Sequence, residues 1–261
     1  MLNLKADEIW AIALKEAKEA SLQEPEIAKL LDEVFLSRSD IFDAVCYRIS
    51  SKLESRSRTK IDLYATFKKA FKSAKIKENV LKDIIAIKER DPACCFYISP
   101  ILYFKGFHAI TTYRVANWLW KNSKVHTASY LQSLMSEVFA VDIHPAAKFG
   151  GGILLDHATS FVAGETTVVG DNVSILHEVT LGGTGNETGD RHPKIKSGVL
   201  IGAGAKLIGN ITIGKCAKIG AGSVVLSDVK AHTTVAGVPA KPVSSPLEAE
   251  PAMCMDQNFD K

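Results

Sequence analysis

Apolar residues in the first part of the chain return at three- and four-residue intervals. Ile9, Ile12, Ala13 and the run from Glu16 to Ala20, then Ile27, Leu30, Leu31, Val34 and Phe35, keep that spacing, the period of helices that bury one face. "SLQEPEIAKLLDEVFLSR" offers a serine and a proline at a helix start, and "RDPACCFYISP" breaks the pattern with two prolines. "FKGFHAITTYRVANWLWKN" resumes it and makes Tyr113, Ala116, Trp118 and Trp120 core or interface residues. The pattern predicts a helical N-terminal domain over residues 1–139.

Near residue 140 the period changes to six. Ile195, Ile201, Leu207, Ile213, Ile219 and Val225 follow one another at six-residue steps. Four positions after each stand Val199, Ala205, Ile211, Ala217, Ser223 and Val229, all small or β-branched. The same register runs upstream through Ile143, Phe149, Leu155 and Phe161, slips by two, and resumes at Ala163, Val169, Ile175 and Leu181. One such hexad cannot bury its apolar face alone, so successive hexads must coil and stack. A domain of stacked coils is expected over 140–243, with a flexible C-terminal tail over 244–261.

The repeat is interrupted once more. Leu181 to Ile195 covers fourteen residues where two hexads need twelve, and the intervening "GGTGNETGD" is too rich in glycine and polar residues to stay in a coil. This segment is expected to be thrown out as a loop. It leads into "DRHPK", where Arg191 can grip a carboxylate with two parallel hydrogen bonds and His192 can donate or accept at neutral pH. If three hexads close one coil, Gly185, Ala203 and Ala221, eighteen residues apart, stack on successive coils about 4.8 Å apart and leave a groove of small residues for a long thin cofactor.

Composition narrows the function classes. The 261 residues are 46% hydrophobic and 23% charged, which suits a folded globular protein. A net charge of +3 gives no electrostatic footprint for nucleic acid. No apolar run reaches the ~18 residues of a membrane span, and the acidic, amphipathic start is unlike a signal peptide. Five cysteines, an odd number without CxxC or CxxH spacing, fit neither a disulfide framework nor a zinc knuckle. A cytoplasmic protein is expected, without membrane or nucleic-acid partners.

The motifs "RDPA", "LYFKGFHA", "VDIHPAAKFGGGILLDHAT", "GETTVVGDNVSILHEVTLGGTG", "DRHPKI", "VLIGAGAKLIGNI" and "AGVPAKPV", in this order behind a helical domain, resemble the serine O-acetyltransferases. These belong to the hexapeptide-repeat acetyltransferases, and the likeness covers roughly residues 80 to 243. It implies an α+β fold, with the helical domain followed by a left-handed parallel β-helix carrying an extruded loop. The implied reaction moves acetyl from acetyl-CoA, as co-substrate and without metal, to the hydroxyl of L-serine, giving O-acetylserine for cysteine synthesis.

The resemblance also assigns roles. His157 of "DHAT" becomes the general base and Asp142 of "VDIHP" the group that orients it. Asp91, Asp156, Arg191 and His192 bind the amino and carboxylate groups of serine, with Glu165 behind them. Gly183, Ala203 and Ala221 belong to the acetyl-CoA site, where Lys218 and Lys241 are placed to meet the nucleotide phosphates. L-cysteine is implied as a competing inhibitor, and a homotrimer or dimer of trimers as the assembly. The chain departs from its relatives at Ser160 and Phe161, after "DHAT", and at its last residue. Many relatives end in an isoleucine that docks in O-acetylserine sulfhydrylase; Lys261 here argues against that complex.

Two alternatives share the coil. One is a hexapeptide acetyltransferase with another acceptor, such as a sugar. The other is a zinc carbonic-anhydrase-like β-helix, because His157 and His177 occupy equivalent hexad positions one coil apart once the slip is allowed for. His144 sits in a different hexad position and supplies no obvious third ligand.

Overall fold

The computed structural model describes residues 5–56, 61–185 and 187–258. Among the described residues its N-terminal part is built of helices without a strand: α1 (Ala6–Gln23), α2 (Ala28–Leu31) running into a π-helical turn, α3 (Ile41–Glu54), α4 (Leu63–Ala70), α5 (Ala74–Arg90), α6 (Ile98–Leu102), α7 (Lys105–Lys121) and α8 (Val125–Phe139). The apolar positions read from the sequence do face inward, with Ile9, Ala13, Leu31, Val34 and Phe35 fully buried. Asp40 caps α3 by accepting hydrogen bonds from the amides of Phe42 and Asp43. Pro92 ends α5, leaving Asp91 as its cap in an extended conformation. Ala140 closes α8 in the left-handed conformation, φ 55°, and turns the chain into the first strand.

From there every strand is two to five residues long. β1 (Val141–Ile143), β2 (Lys148–Phe149) and β3 (Leu154–Leu155) make the first coil; β4 (Phe161–Ala163), β5 (Val168–Val169) and β6 (Ser174–Ile175) the second. β7 (Thr180–Gly182), β8 (Lys194–Ile195) and β9 (Leu200–Ile201) follow, then β10 (Lys206–Ile208), β11 (Thr212–Ile213) and β12 (Lys218–Ile219), and finally β13 (Val224–Val225), β14 (Thr234–Gly237) and β15 (Ala240–Ser244). They form three sheets, β1-β4-β7-β10-β13, β2-β5-β8-β11 and β3-β6-β9-β12-β14-β15, parallel except where β15 returns against β14. This is a parallel β-helix of triangular section. The six-residue series from Ile195 to Val225 points into it, and each member is no more than 2% exposed.

Register gives the length of each coil. Val162 pairs with Thr180, Lys194 with Thr212 and Lys206 with Val224, each eighteen residues on. Val141 pairs with Phe161, twenty on; the two-residue slip is an insertion in the turn before β4, which carries His157. Val168 pairs with Lys194, twenty-six on. β7 and β8 are therefore consecutive, and eight residues are inserted between them rather than the two that a double hexad implied.

The helical part grips the first coil through a buried ion pair. Arg114 on α7 meets Asp83 on α5 at 2.7–3.0 Å, Asp83 also accepts from the Ile153 amide at 2.9 Å, and Arg114 donates to the Gly150 carbonyl at 2.8 Å. With each other and the backbone as partners, neither charge is left uncompensated in the interior.

The tail differs from the flexible segment expected. Residues Pro251–Cys254 form α9, Pro251 and Ala252 are buried, and the Ser174 hydroxyl donates to the Ala252 carbonyl at 2.7 Å. The apolar face of "EPAMCM" finds a partner on the third sheet and α5. Lys261 lies outside the described residues.

Candidate active site

The corner between the third sheet and the first holds one column of residues. Leu155 pairs with Ile175, Ile175 with Ile201, Ile201 with Ile219 and Ile219 with Val235. Two positions further along each coil this register stacks His157, His177, Ala203, Ala221 and Gly237. The rings of His157 and His177 meet edge to face with centroids 5.8 Å apart. Below them the column has only methyl groups or hydrogen, which leaves a groove that lengthens by about 4.8 Å per coil, starting at an imidazole. Gly185 is not part of it: it lies in the extruded loop with φ 85°, and His177 takes the position directly above Ala203. Gly183 stands at another corner, where a Cβ would come within 3.4 Å of the Arg191 side chain.

His157 sits in a strained turn. His157, Ala158 and Ser160 all have φ between 54° and 61°, a region costly for residues with a Cβ and seen where surrounding structure enforces it. The imidazole is 74% exposed, 3.8 Å from the Asp156 carboxylate. Burial pushes the Asp156 carboxyl above the usual carboxylate range, and the nearby Asp91 adds to the effect. Asp91, Asp156 and His157 line one cavity of about 410 Å³ between α5, α7 and β3. Two carboxylates and an imidazole around one cavity suit a cationic amine and a hydroxyl that must lose a proton.

The second cluster occupies the next corner, between the first sheet and the second. Arg191 and His192, at the end of the extruded loop, are anchored by Thr166: its hydroxyl accepts from both backbone amides, at 3.0 and 3.1 Å. The Thr166 amide and hydroxyl both approach His192 Nδ1, at 3.2 and 2.8 Å. An Nδ1 that accepts from an amide leaves the proton of the neutral ring on Nε2. Burial holds the His192 pKa below its ordinary value, with Arg191 and Lys194 adding to the shift. The Arg191 guanidinium is paired with Glu165 at 2.7 Å. A cation and an N–H donor together suit a carboxylate.

The remaining predicted residues are dispersed. Asp142 lies on β1 and accepts a hydrogen bond from Gln132 Nε2 at 2.6 Å; the Ser160 amide at the exit of the His157 turn bonds to Ala140, two residues before it. Lys218 is corrected: it is 2% exposed beneath the tail and donates to the Asn258 carbonyl at 2.5 Å, so it does not face solvent as a phosphate ligand would. Lys241 is exposed on β15, paired with Ala236 near the lower end of the column. The polar residues expected to meet the amino acid, Asp91, Asp156, Glu165, Arg191 and His192, thus fall at two corners of one chain, with the first sheet between them.

Three contributors were not singled out. Thr166 stands in "GETT", beside Glu165. Gly164 touches His192 so closely that a Cβ there would lie 1.9 Å from Nε2. Gln132 is an ordinary polar residue of a helix and gave no signal. Among the described residues no group of three or more His, Cys, Asp and Glu side chains is placed to hold a metal ion.

A parallel β-helix of hexads, with an imidazole at the head of a small-residue groove, defines an acyltransferase of the hexapeptide-repeat class. Residues 9–112 match the family model "Serine acetyltransferase, N-terminal" and residues 192–227 match "Bacterial transferase hexapeptide (six repeats)". Serine acetyltransferase of Salmonella typhimurium is 47% identical over 97% of this chain and 93% of its own length. A solved serine acetyltransferase in complex with cysteine superposes with a TM-score of 0.94 at 46% identity, covering 98% of this chain and all of that one. The Brucella abortus enzyme in complex with coenzyme A does so at 0.88 and 48% identity, covering 91% and 95%. The chain belongs to the serine acetyltransferase family. Its activity is acetyl transfer to the serine hydroxyl, the step that yields O-acetylserine for cysteine biosynthesis.

Proposed function

We propose that His157 is the general base of a direct transfer from acetyl-CoA to L-serine. The observation that carries this reading is the corner column, in which an exposed imidazole heads a groove of small residues and shares a cavity with Asp91 and Asp156. The acetyl-CoA arm lies along Ala203 and Ala221, with its thioester at His157 and Lys241 toward the nucleotide end. As the serine oxygen attacks the thioester carbon, His157 takes its proton; collapse of the tetrahedral adduct breaks the C–S bond, and the departing thiolate receives that proton. General-base assistance of this kind typically contributes ~10²–10⁴ in rate. Asp142, braced by Gln132, orients the imidazole and favours its charged form.

Asp91 and Asp156 hold the serine ammonium, while Arg191 and His192 hold its carboxylate. These two half-sites sit at neighbouring corners, separated by one hexad edge, roughly 15–20 Å of extended chain. Three-fold association would bring the Arg191 corner of one subunit to the His157 corner of the next. Val162, 38% exposed on β4 of the intervening sheet, supplies apolar surface for such packing. The proposed working unit is therefore a trimer, alone or paired through the helical domains. Cysteine has the same amino and carboxylate groups as serine, so it is proposed to compete for this pocket as an inhibitor.

His157→Ala is expected to lower turnover by several orders of magnitude while leaving sedimentation and melting unchanged. Retention of full activity by that variant would remove His157 as the base.

A further inference from the structure

We propose that Lys105, in the first turn of α7, is a positioning residue that locks the His157 turn in its left-handed conformation, with Gly106 as the seat on which that turn rests. The inference depends on His157 being the base. It begins from strain: residues with positive φ at 157, 158 and 160 revert to ordinary backbone unless their surroundings over-determine them. The two-residue insertion that creates this turn removes it from the regular ladder, so the hexad repeat does not by itself fix where His157 points.

Contacts hold the turn from three directions. The Ser160 amide donates to the Ala140 carbonyl at 2.7 Å, and the Glu178 amide on the coil below donates to the Thr159 carbonyl at 2.7 Å. From the helical side, Lys105 Nζ donates to Thr159 Oγ1 at 2.5 Å. Beside it, Gly106 lies so close to the coil that a Cβ would stand 1.9 Å from the Leu155 carbonyl oxygen and 3.2 Å from the Ala158 methyl, bracketing His157. A cation in the first turn of a helix opposes the helix dipole. Lys105 therefore sits where local helix electrostatics disfavour it and where Thr159 can use it. Lys105 and Gly106 both line the cavity of Asp91, Asp156 and His157. This gives a physical reason for the "FKG" stretch, whose role the reaction chemistry alone leaves unassigned.

The test is steady-state kinetics on full-length Lys105→Met, Thr159→Val, the double variant and Lys105→Arg, each with serine and acetyl-CoA varied. Misplacing a catalytic group by about 1 Å can cost 10²-fold, so kcat is expected to fall about 10- to 100-fold in each single variant, with the acetyl-CoA KM within about twofold of wild type. Because both single variants delete one hydrogen bond, the double variant is expected to be no slower than the worse of them. Arginine at 105, which can still donate to Thr159, recovers most of the loss. A kcat within twofold of wild type in Lys105→Met, additive losses in the double variant, or a rise in serine KM at unchanged kcat would each overturn the proposal. His157→Ala in the same assay isolates the underlying reading: full activity there refutes the base itself, whatever the Lys105 variants do.

Discussion

Replacing Gly164 by alanine probes the loop cluster with a single methyl group. The new Cβ would lie 1.9 Å from His192 Nε2 and 2.2 Å from Cδ2. The backbone at this point cannot retreat: the Gly164 amide donates to the Leu181 carbonyl at 3.1 Å, and its own carbonyl accepts from Thr167 at 3.1 Å. The ring must therefore move by about 1.5 Å to restore ordinary contact near 3.4 Å. That displacement pulls Nδ1 away from the Thr166 amide and hydroxyl, now 3.2 and 2.8 Å distant. Two hydrogen bonds at ~0.5–1.5 kcal/mol each make a loss of about 1–3 kcal/mol. If the ring then fails to meet the serine carboxylate, kcat/KM for serine falls roughly 5- to 150-fold by the same energy. The acetyl-CoA groove, at another corner, keeps its KM. Serine saturation curves at fixed acetyl-CoA, with a thermal melt of each protein, measure this. Gly164→Ala combined with His192→Ala should be no worse than His192→Ala alone. Serine kcat/KM within twofold of wild type in Gly164→Ala would refute the reasoning.

Two further outcomes follow from charged groups. His108 on α7 is fully buried, bonded through Nε2 to the Ile101 carbonyl at 2.7 Å and through Nδ1 to Lys52 at 3.4 Å, and burial drives its pKa down to about 3. Below the ordinary value near 6.5 the unfolded chain takes up a proton that the folded chain refuses, so this contribution is intact above pH 6.5 and is lost as pH falls toward 3. Between pH 7 and pH 5 it amounts to about 2 kcal/mol; denaturant titrations should show His108→Gln losing that much less over the interval, and equal losses would disprove it. Arg191→Ala should weaken serine and cysteine together by ~1.5–3 kcal/mol, the usual worth of hydrogen bonds to a charged group. Calorimetric titration of each amino acid reads this directly, and undiminished cysteine binding would put the inhibitor in another pocket.

Periodicity carried the architecture. A spacing of six leaves one residue per hexad pointing inward, and the chain has no way to bury that series except by coiling, so spacing alone assigns Ile195 to Val225 to the core. The helical period of the first half acted in the same way, because burying one face of each helix is a local requirement on sequence spacing. His157 and His177 were likewise brought together by counting alone, since stacked coils turn sequence separation into contact.

Counting failed where the coil length changes. Eighteen-residue arithmetic put Gly185 next to Ala203 in the column, but the eight residues inserted between β7 and β8 shift that register and seat His177 there instead. Lys218 was expected to face the nucleotide phosphates because nothing in its hexad shows that the tail returns across it. The anchoring of His192 by Gly164 and Thr166, and of the His157 turn by α7, depends on backbones approaching within a methyl radius. Such closeness is fixed by how whole elements pack, and a residue's type and spacing record only what each element needs from itself.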